Sequence, residues 1–268
     1  MTKNNIKYFI AGFAIVMIIA SCTKVIDLKL GNDTGRLVIE ANIANARGPQ
    51  FIRLSRNVSF TSTNTYPPVS GATIKVTDDQ GHSYNFVETA IPGTYGNNRL
   101  PGIPGRIYTM LVTTGGTTYT AVSTMPNEVT LDSITAQKSQ FGDKKLRDIT
   151  VHYEDPYGVN NQYKFSLYVN NREVNYIFAY DDQFTDGKYV NFNLVQNKVD
   201  IHPGDTARVE MQCLDKPMYT YWFTLMQQQF GGPGGGGVAP ANPPTNITPA
   251  SLGYFSAHTF NSWTIIVK

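Results

Sequence analysis

The stretch Tyr108-Thr109-Met110-Leu111-Val112-Thr113-Thr114-Gly115-Gly116-Thr117-Thr118-Tyr119-Thr120-Ala121-Val122-Ser123 reads as two strands around a two-residue turn. Both flanks are rich in β-branched and aromatic residues, and the two glycines accept the positive φ angles that a tight hairpin turn requires at both central positions. Outward from it, segments of Val, Ile, Thr, Tyr and Phe recur about every ten residues. Each closes on Gly, Asn, Asp or Pro, which is the signature of sandwiches rather than of βαβ units. Strands at 73–77 and 83–87 flank Asp78-Asp79-Gln80-Gly81, a second hairpin. Strands at 175–180 and 188–194 flank Asp181-Asp182-Gln183-Phe184-Thr185-Asp186-Gly187, a third by its Asp-Gly reversal.

A change of texture at Met125-Pro126-Asn127-Glu128 divides the body. The expected fold is all-β, with two β-sandwich domains at 36–126 and 127–268 and one short helix in the second. That helix is expected near 217–230, where Met218, Tyr221, Trp222, Leu225 and Met226 follow helical spacing, Asp215 is a suitable N-cap and Pro217 falls in the first turn. At that spacing an aromatic stripe is core rather than a sugar platform. A Gly/Pro-rich loop, 231–249, follows. It lacks the Gly-Lys-Ser/Thr, the preceding strand and the following helix of a phosphate-binding loop.

The N-terminus carries a different kind of information. Lys3 and Lys7 precede an uncharged run from Tyr8 to Ala20, and small residues lead to Cys22. This is the pattern of a secretory signal over 1–21, too short in its apolar part to span a bilayer, which needs about 20 apolar residues. Ile19-Ala20-Ser21-Cys22 resembles the bacterial lipobox, in which the cysteine after the cleavage site becomes acylated. Several acyl chains, at about 0.8 kcal/mol per buried methylene, would anchor the protein durably. Thr23 in place of Asp favours, by resemblance to lipoprotein sorting rules, the outer membrane. Residues 22–35 then read as a lipidated tether with apolar Val25, Ile26, Leu28 and Leu30.

Processing also alters the charge. The chain has 22 Lys+Arg and 20 Asp+Glu, and removal of Lys3 and Lys7 with the leader leaves the mature chain formally neutral. With no basic cluster, nucleic acid is excluded as a partner. Acylation of Cys22 leaves Cys213 as the one thiol, so no intramolecular disulfide forms. Cys213 lies in the alternating run Ala207-Arg208-Val209-Glu210-Met211-Gln212-Cys213-Leu214 and reads as packed.

The residues suggest no enzyme and no cofactor. His82, His152, His202 and His258 are scattered, and no Gly-x-Ser-x-Gly or His-Glu-x-x-His occurs. Glu154-Asp155-Pro156 is first of all turn chemistry; a hydrolase would need Glu154, Asp155 and a His brought together. Asp181, Asp182 and Asp186 could gather around Ca²⁺, which favours several oxygen ligands, although the spacing is not that of an EF-hand.

The order of Cys22-Thr23-Lys24-Val25-Ile26-Asp27-Leu28, Arg36-Leu37-Val38-Ile39-Glu40, Leu54-Ser55-Arg56, Pro68-Val69-Ser70-Gly71-Ala72, Pro104-Gly105-Arg106-Ile107-Tyr108 and Leu252-Gly253-Tyr254-Phe255-Ser256-Ala257 resembles the Bacteroidota lipoproteins grouped as domain-of-unknown-function family 4249. Within it, residues 71–125 look like a transthyretin-like sandwich. The resemblance implies lipidation at Cys22, an outer-membrane location on the cell-surface or periplasmic face, and company with TonB-dependent transporters; it carries over no catalytic residue. It also implies possible O-glycosylation at Ser133 in Asp132-Ser133-Ile134 and at Thr206 in Asp205-Thr206-Ala207. The expected function is a non-enzymatic accessory to such a transporter in ligand capture or gating. The alternative is a free-standing glycan-binding or adhesion module using Tyr66, Tyr157, Phe230 and Tyr254.

Overall fold

The computed structural model describes residues 34–59, 62–63, 65–139, 143–229 and 242–268. The leader 1–21, Cys22, the tether up to residue 33, Phe230 and the loop segment 231–241 lie outside the described residues.

The described chain is all-β apart from one helix, and it folds around two cores. The first is built from β1 (Leu37–Ala44), β2 (Gln50–Arg56), β3 (Thr73–Asp78), β4 (Ser83–Glu88), β5 (Thr94–Asn97), β6 (Ile107–Thr114) and β7 (Thr117–Thr124). Strict alternation drives it. Leu37, Ile39, Ala41 and Ile43 of β1 are buried, and so are Ile74 and Val76 of β3 and Tyr108, Met110 and Val112 of β6. Each fully buried Ile or Leu contributes roughly 1.5–3 kcal/mol, so these rows fix the register. In the hairpin, Thr114 faces Thr117, with Gly115 at φ 55° and Gly116 at φ 76°. β4 pairs with β3 on one side and β5 on the other, carrying the ladder from one layer to the next.

The second core lies between two layers. One holds β8 (Ser133–Lys138), β9 (Arg147–Glu154) and β13 (Tyr189–Leu194). The other holds β10 (Gln162–Val169), β11 (Arg172–Glu173), β12 (Phe178–Asp181) and β14 (Thr206–Cys213). Tyr163, Phe165, Leu167 and Val169 of β10 face Ile149, Val151 and Tyr153 of β9 across it, with Tyr153 and Tyr163 edge-to-face at 5.0 Å between centroids.

A single strand joins the two. β16 (Leu252–Ile266) runs 15 residues, and its first half pairs in parallel with β1, from Val38 with Leu252 to Ala44 with His258. Its second half pairs antiparallel with β14, from Cys213 with Thr259 to Thr206 with Ile266. Phe255 and Ala257 therefore belong to the first core, while Ile265 and Val267 pack with the second. A short β15 (Ile247–Thr248) adds to β7. Residues 247–258, assigned from sequence to the second domain, thus complete the first core. β1 pairs with β2 along one edge, and residues 252–258 pair along the other, adding Phe255 and Ala257 to the buried row.

The third expected hairpin does not form. β12 pairs with β10 and β13 with β9, in opposite layers. Instead of a tight reversal, Thr185 N and Asp186 N both donate to Asp182 O, and Lys188 N donates to Thr185 O, a coiled loop that carries the chain across the sandwich.

The helix α1 (Lys216–Gln229) begins one residue after Asp215, whose Oδ1 accepts the Met218 amide at 3.1 Å as an N-cap. It buries Met218, Tyr219 and Met226. Met218 packs with Leu214 and Tyr254, and Tyr219 and Met226 with Ala179, so the helix covers both β16 and β12. The stripe read from sequence missed Tyr219, which turns to β12.

Candidate functional site

The acidic residues converge at one end of the second sandwich. Asp155, at the end of β9, Asp182, after β12, and Asp186 each offer a carboxylate oxygen, and the three lie within 4.8 Å of one another. Asp155 is only 1% exposed and Asp182 6%, while Asp186 reaches the surface. The two loops are tied together: Asn161 N donates to Asp182 Oδ2 at 2.6 Å, Asp182 N to Asn161 O at 3.2 Å, and Gly158 N to Asp186 Oδ1 at 2.7 Å. Asp155 Oδ1 accepts the Tyr163 hydroxyl in a short hydrogen bond. Asp155 Oδ2 is buried with no partner in hydrogen-bond geometry, as is the side-chain amide nitrogen of neighbouring Asn161.

Burial pushes the Asp155 carboxyl up. The Tyr163 hydroxyl and, from outside hydrogen-bond geometry, the Gly187 amide oppose this, while Asp182 and Asp186 add to it. Two carboxylates about 5 Å apart repel by roughly 3 kcal/mol at an effective dielectric near 20. A surface ion pair returns ~1 kcal/mol at most. Among the described residues no ion pair reaches the three aspartates; Lys188 Nζ instead donates to the Phe184 carbonyl.

Beside the cluster is a depression of about 450 Å³ lined by Glu128, Asp132, Glu154, Asp155 and Tyr157 among others, with no histidine in its wall. Tyr157 is 85% exposed, and its ring lies against Gly187, where an added Cβ would meet it at 2.8 Å.

Sequence reading placed Asp181 with Asp182 and Asp186, and the structure corrects it. Asp181 turns to the helix, 3.8 Å from Lys216 Nζ. Its place is taken by Asp155, which pattern alone assigns to a turn, and the signal that could have found it is the pairing of β9 with β13. His152, the histidine nearest Glu154 in sequence, hydrogen-bonds Thr135 and Asn191 on the exposed face of the three-stranded layer.

The other singled-out residues are dispersed. Ser133 and Thr206 are half-buried at the openings of β8 and β14, and Asn170 takes both backbone groups of Thr206. Cys213 is buried, accepts the Val129 amide at 3.3 Å, and has its thiol pushed up by burial. Of the aromatics considered for sugar binding, Tyr66 and Tyr157 are exposed, but Tyr254 is 8% exposed and packed against Tyr221 and Trp222.

Sequence reading missed a buried pair, Ser256 Oγ and His258 Nδ1, 3.0 Å apart on β16. Burial, with Lys164 nearby, pushes His258 down to about 3. A neutral, enclosed imidazole of this kind accepts or donates one hydrogen bond as packing and has no access to a substrate.

Two β-sandwich cores sharing one C-terminal strand, with an acidic loop cluster at the end of the second, define an all-β two-core protein. The chain belongs to the domain of unknown function family DUF4249, whose model matches residues 23–263. No curated protein matches it. Among solved structures, a two fibronectin type-III domain segment from chicken tenascin is similar at 13% identity, covering 68% of this chain and 91% of that one, with a TM-score of 0.21. Among the described residues, no helix is long and apolar enough to cross a membrane.

Proposed function

We propose that this protein is a non-enzymatic lipoprotein of the outer membrane, tethered through acyl chains on Cys22, that serves a TonB-dependent transporter in ligand capture or gating. The observation that carries the proposal is positional. The family match begins at residue 23, one residue after the lipobox cysteine, so processing at Cys22 leaves the whole matched region in the mature chain. The transporter as partner rests on the resemblance of the chain to lipoproteins of this family.

The two-core body suits a binding accessory. Two apolar cores threaded on β16 hold loops at fixed positions, and loops on rigid scaffolds are where binding residues concentrate. The test is affinity purification of the tagged full chain from detergent-solubilised outer membrane. Co-recovery of a TonB-dependent transporter is the expected result. Recovery of none, with retention on glycan arrays, would favour the adhesion module instead.

A further inference from the structure

We propose that the end of the second sandwich is a calcium site, with Asp155, Asp182 and Asp186 as its carboxylate ligands. This goes beyond anchoring and company, and it stands whether or not a transporter is the partner.

The ligand chemistry selects the ion. All three side chains are carboxylates, no nitrogen or sulfur ligand joins them, and hard cations such as Ca²⁺ take 6–8 oxygens at 2.3–2.6 Å. Two oxygens on one Ca²⁺ can be at most about 5 Å apart, twice that bond length. The three carboxylate oxygens already lie within 4.8 Å of one another, so an ion can be bound without rearranging the backbone. Mg²⁺, with bonds of about 2.0–2.1 Å and a strict octahedron, fits such spacing less well.

A second observation separates this cluster from an ordinary group of surface acids. Asp155 is 99% removed from solvent, yet its Oδ2 has no hydrogen-bond partner. A buried acceptor without a donor is costly, and a cation supplies what is missing. Asn161, 7% exposed and bonded through its amide N–H to Asp182, also has an unsatisfied side-chain nitrogen. The four carboxylates around the adjoining depression, Glu128, Asp132, Glu154 and Asp155, supply an entry path that concentrates cations.

Binding would reinforce the hydrogen bonds that already tie the 155–161 loop to the 181–188 loop. The loops carry Tyr157 and Phe184, two of the most exposed large hydrophobics of the chain.

The test uses the full chain in detergent, stripped with EDTA, and Ca²⁺ alone as the probe. Calorimetric titration should give one Ca²⁺ per chain, and millimolar Ca²⁺ should raise the melting temperature. Asp182→Asn and Asp186→Asn should each weaken binding at least ten-fold. Asp186 is exposed, so Asp186→Asn folds; in EDTA it should melt at or above the unsubstituted protein because a repulsion is gone. Asp79→Asn, exposed in the turn between β3 and β4 of the first core, should bind as the unsubstituted protein does. No binding heat and no Ca²⁺-dependent shift in the unsubstituted protein would overturn the site. Binding that survives both triad substitutions would overturn the assignment of ligands, and an equal response to Mg²⁺ would overturn the assignment to calcium.

Discussion

Asp215 Oδ2 accepts the Ser123 hydroxyl at 2.7 Å, 92 residues away in sequence, while Oδ1 of the same carboxylate caps helix α1. Ser123 Oγ in turn accepts the Ala257 amide at 2.9 Å, and Asp215 Oδ2 also takes the Thr124 amide at 3.0 Å. The pair joins β7 of the first core, the helix, and β16. Removing Asp215 leaves a helix N-terminus, a hydroxyl and an amide without their acceptor. Asp215→Ala should therefore cost roughly 2–3 kcal/mol, more than the ~1 kcal/mol of a simple cap. Asp215→Asn, which keeps an acceptor oxygen, should cost less. Urea unfolding followed by far-UV circular dichroism measures both, and a loss for Asp215→Ala no larger than the ~1 kcal/mol of a simple cap would show that the contacts to Ser123 and Thr124 contribute nothing.

Gly253 tests the parallel pairing of β1 with β16. It sits at φ +91°, and an added Cβ would approach the Ile39 carbonyl oxygen to 2.0 Å. Neither the backbone angle nor the neighbouring strand can yield cheaply. Gly253→Ala should destabilise by roughly 2–4 kcal/mol, whereas Gly204→Ala, also at positive φ but with open space around it, should cost less.

These two positions also mark what sequence can and cannot disclose. The β6–β7 hairpin was legible because its signals, alternation and Gly115-Gly116, are local. Helix α1 was legible for the same reason, with Asp215 as cap and Pro217 in the first turn. The return of residues 252–258 to β1 was not, since nothing in 37–44 names a partner more than two hundred residues away. The third hairpin failed because Asp-Gly signals a reversal without saying to which layer the next strand goes. In the acidic cluster, Asp182 and Asp186 were readable within one loop, but Asp155 enters through the β9–β13 pairing.

His258 makes stability depend on pH. Its folded-state pKa is depressed to about 3 against an ordinary value near 6.5, by burial and by Lys164. The unfolded chain therefore binds the proton first as pH falls, and stability declines from about pH 6.5 downward at up to ~1.4 kcal/mol per pH unit. At pH 5 the loss from this residue should approach roughly 2 kcal/mol. His258→Gln should flatten the fall in melting temperature between pH 7 and 5, and an unchanged slope would remove His258 as its source.

Cys213 should be inert in the native protein, because it is buried and its thiol is pushed up by desolvation. A maleimide probe should label the mature chain only once it is unfolded. Rapid labelling of the native chain would mean either that Cys213 is accessible or that Cys22 is not acylated, and peptide mapping tells which.

The proposal that this protein works while tethered to the outer membrane is tested most directly by the intact mass of the mature chain purified from its own membrane. The predicted result is a chain beginning at Cys22 whose excess mass is accounted for by a diacylglycerol and an N-acyl group on that residue. A mature chain that retains residues 1–21, or that is cleaved elsewhere and carries no lipid, would contradict it.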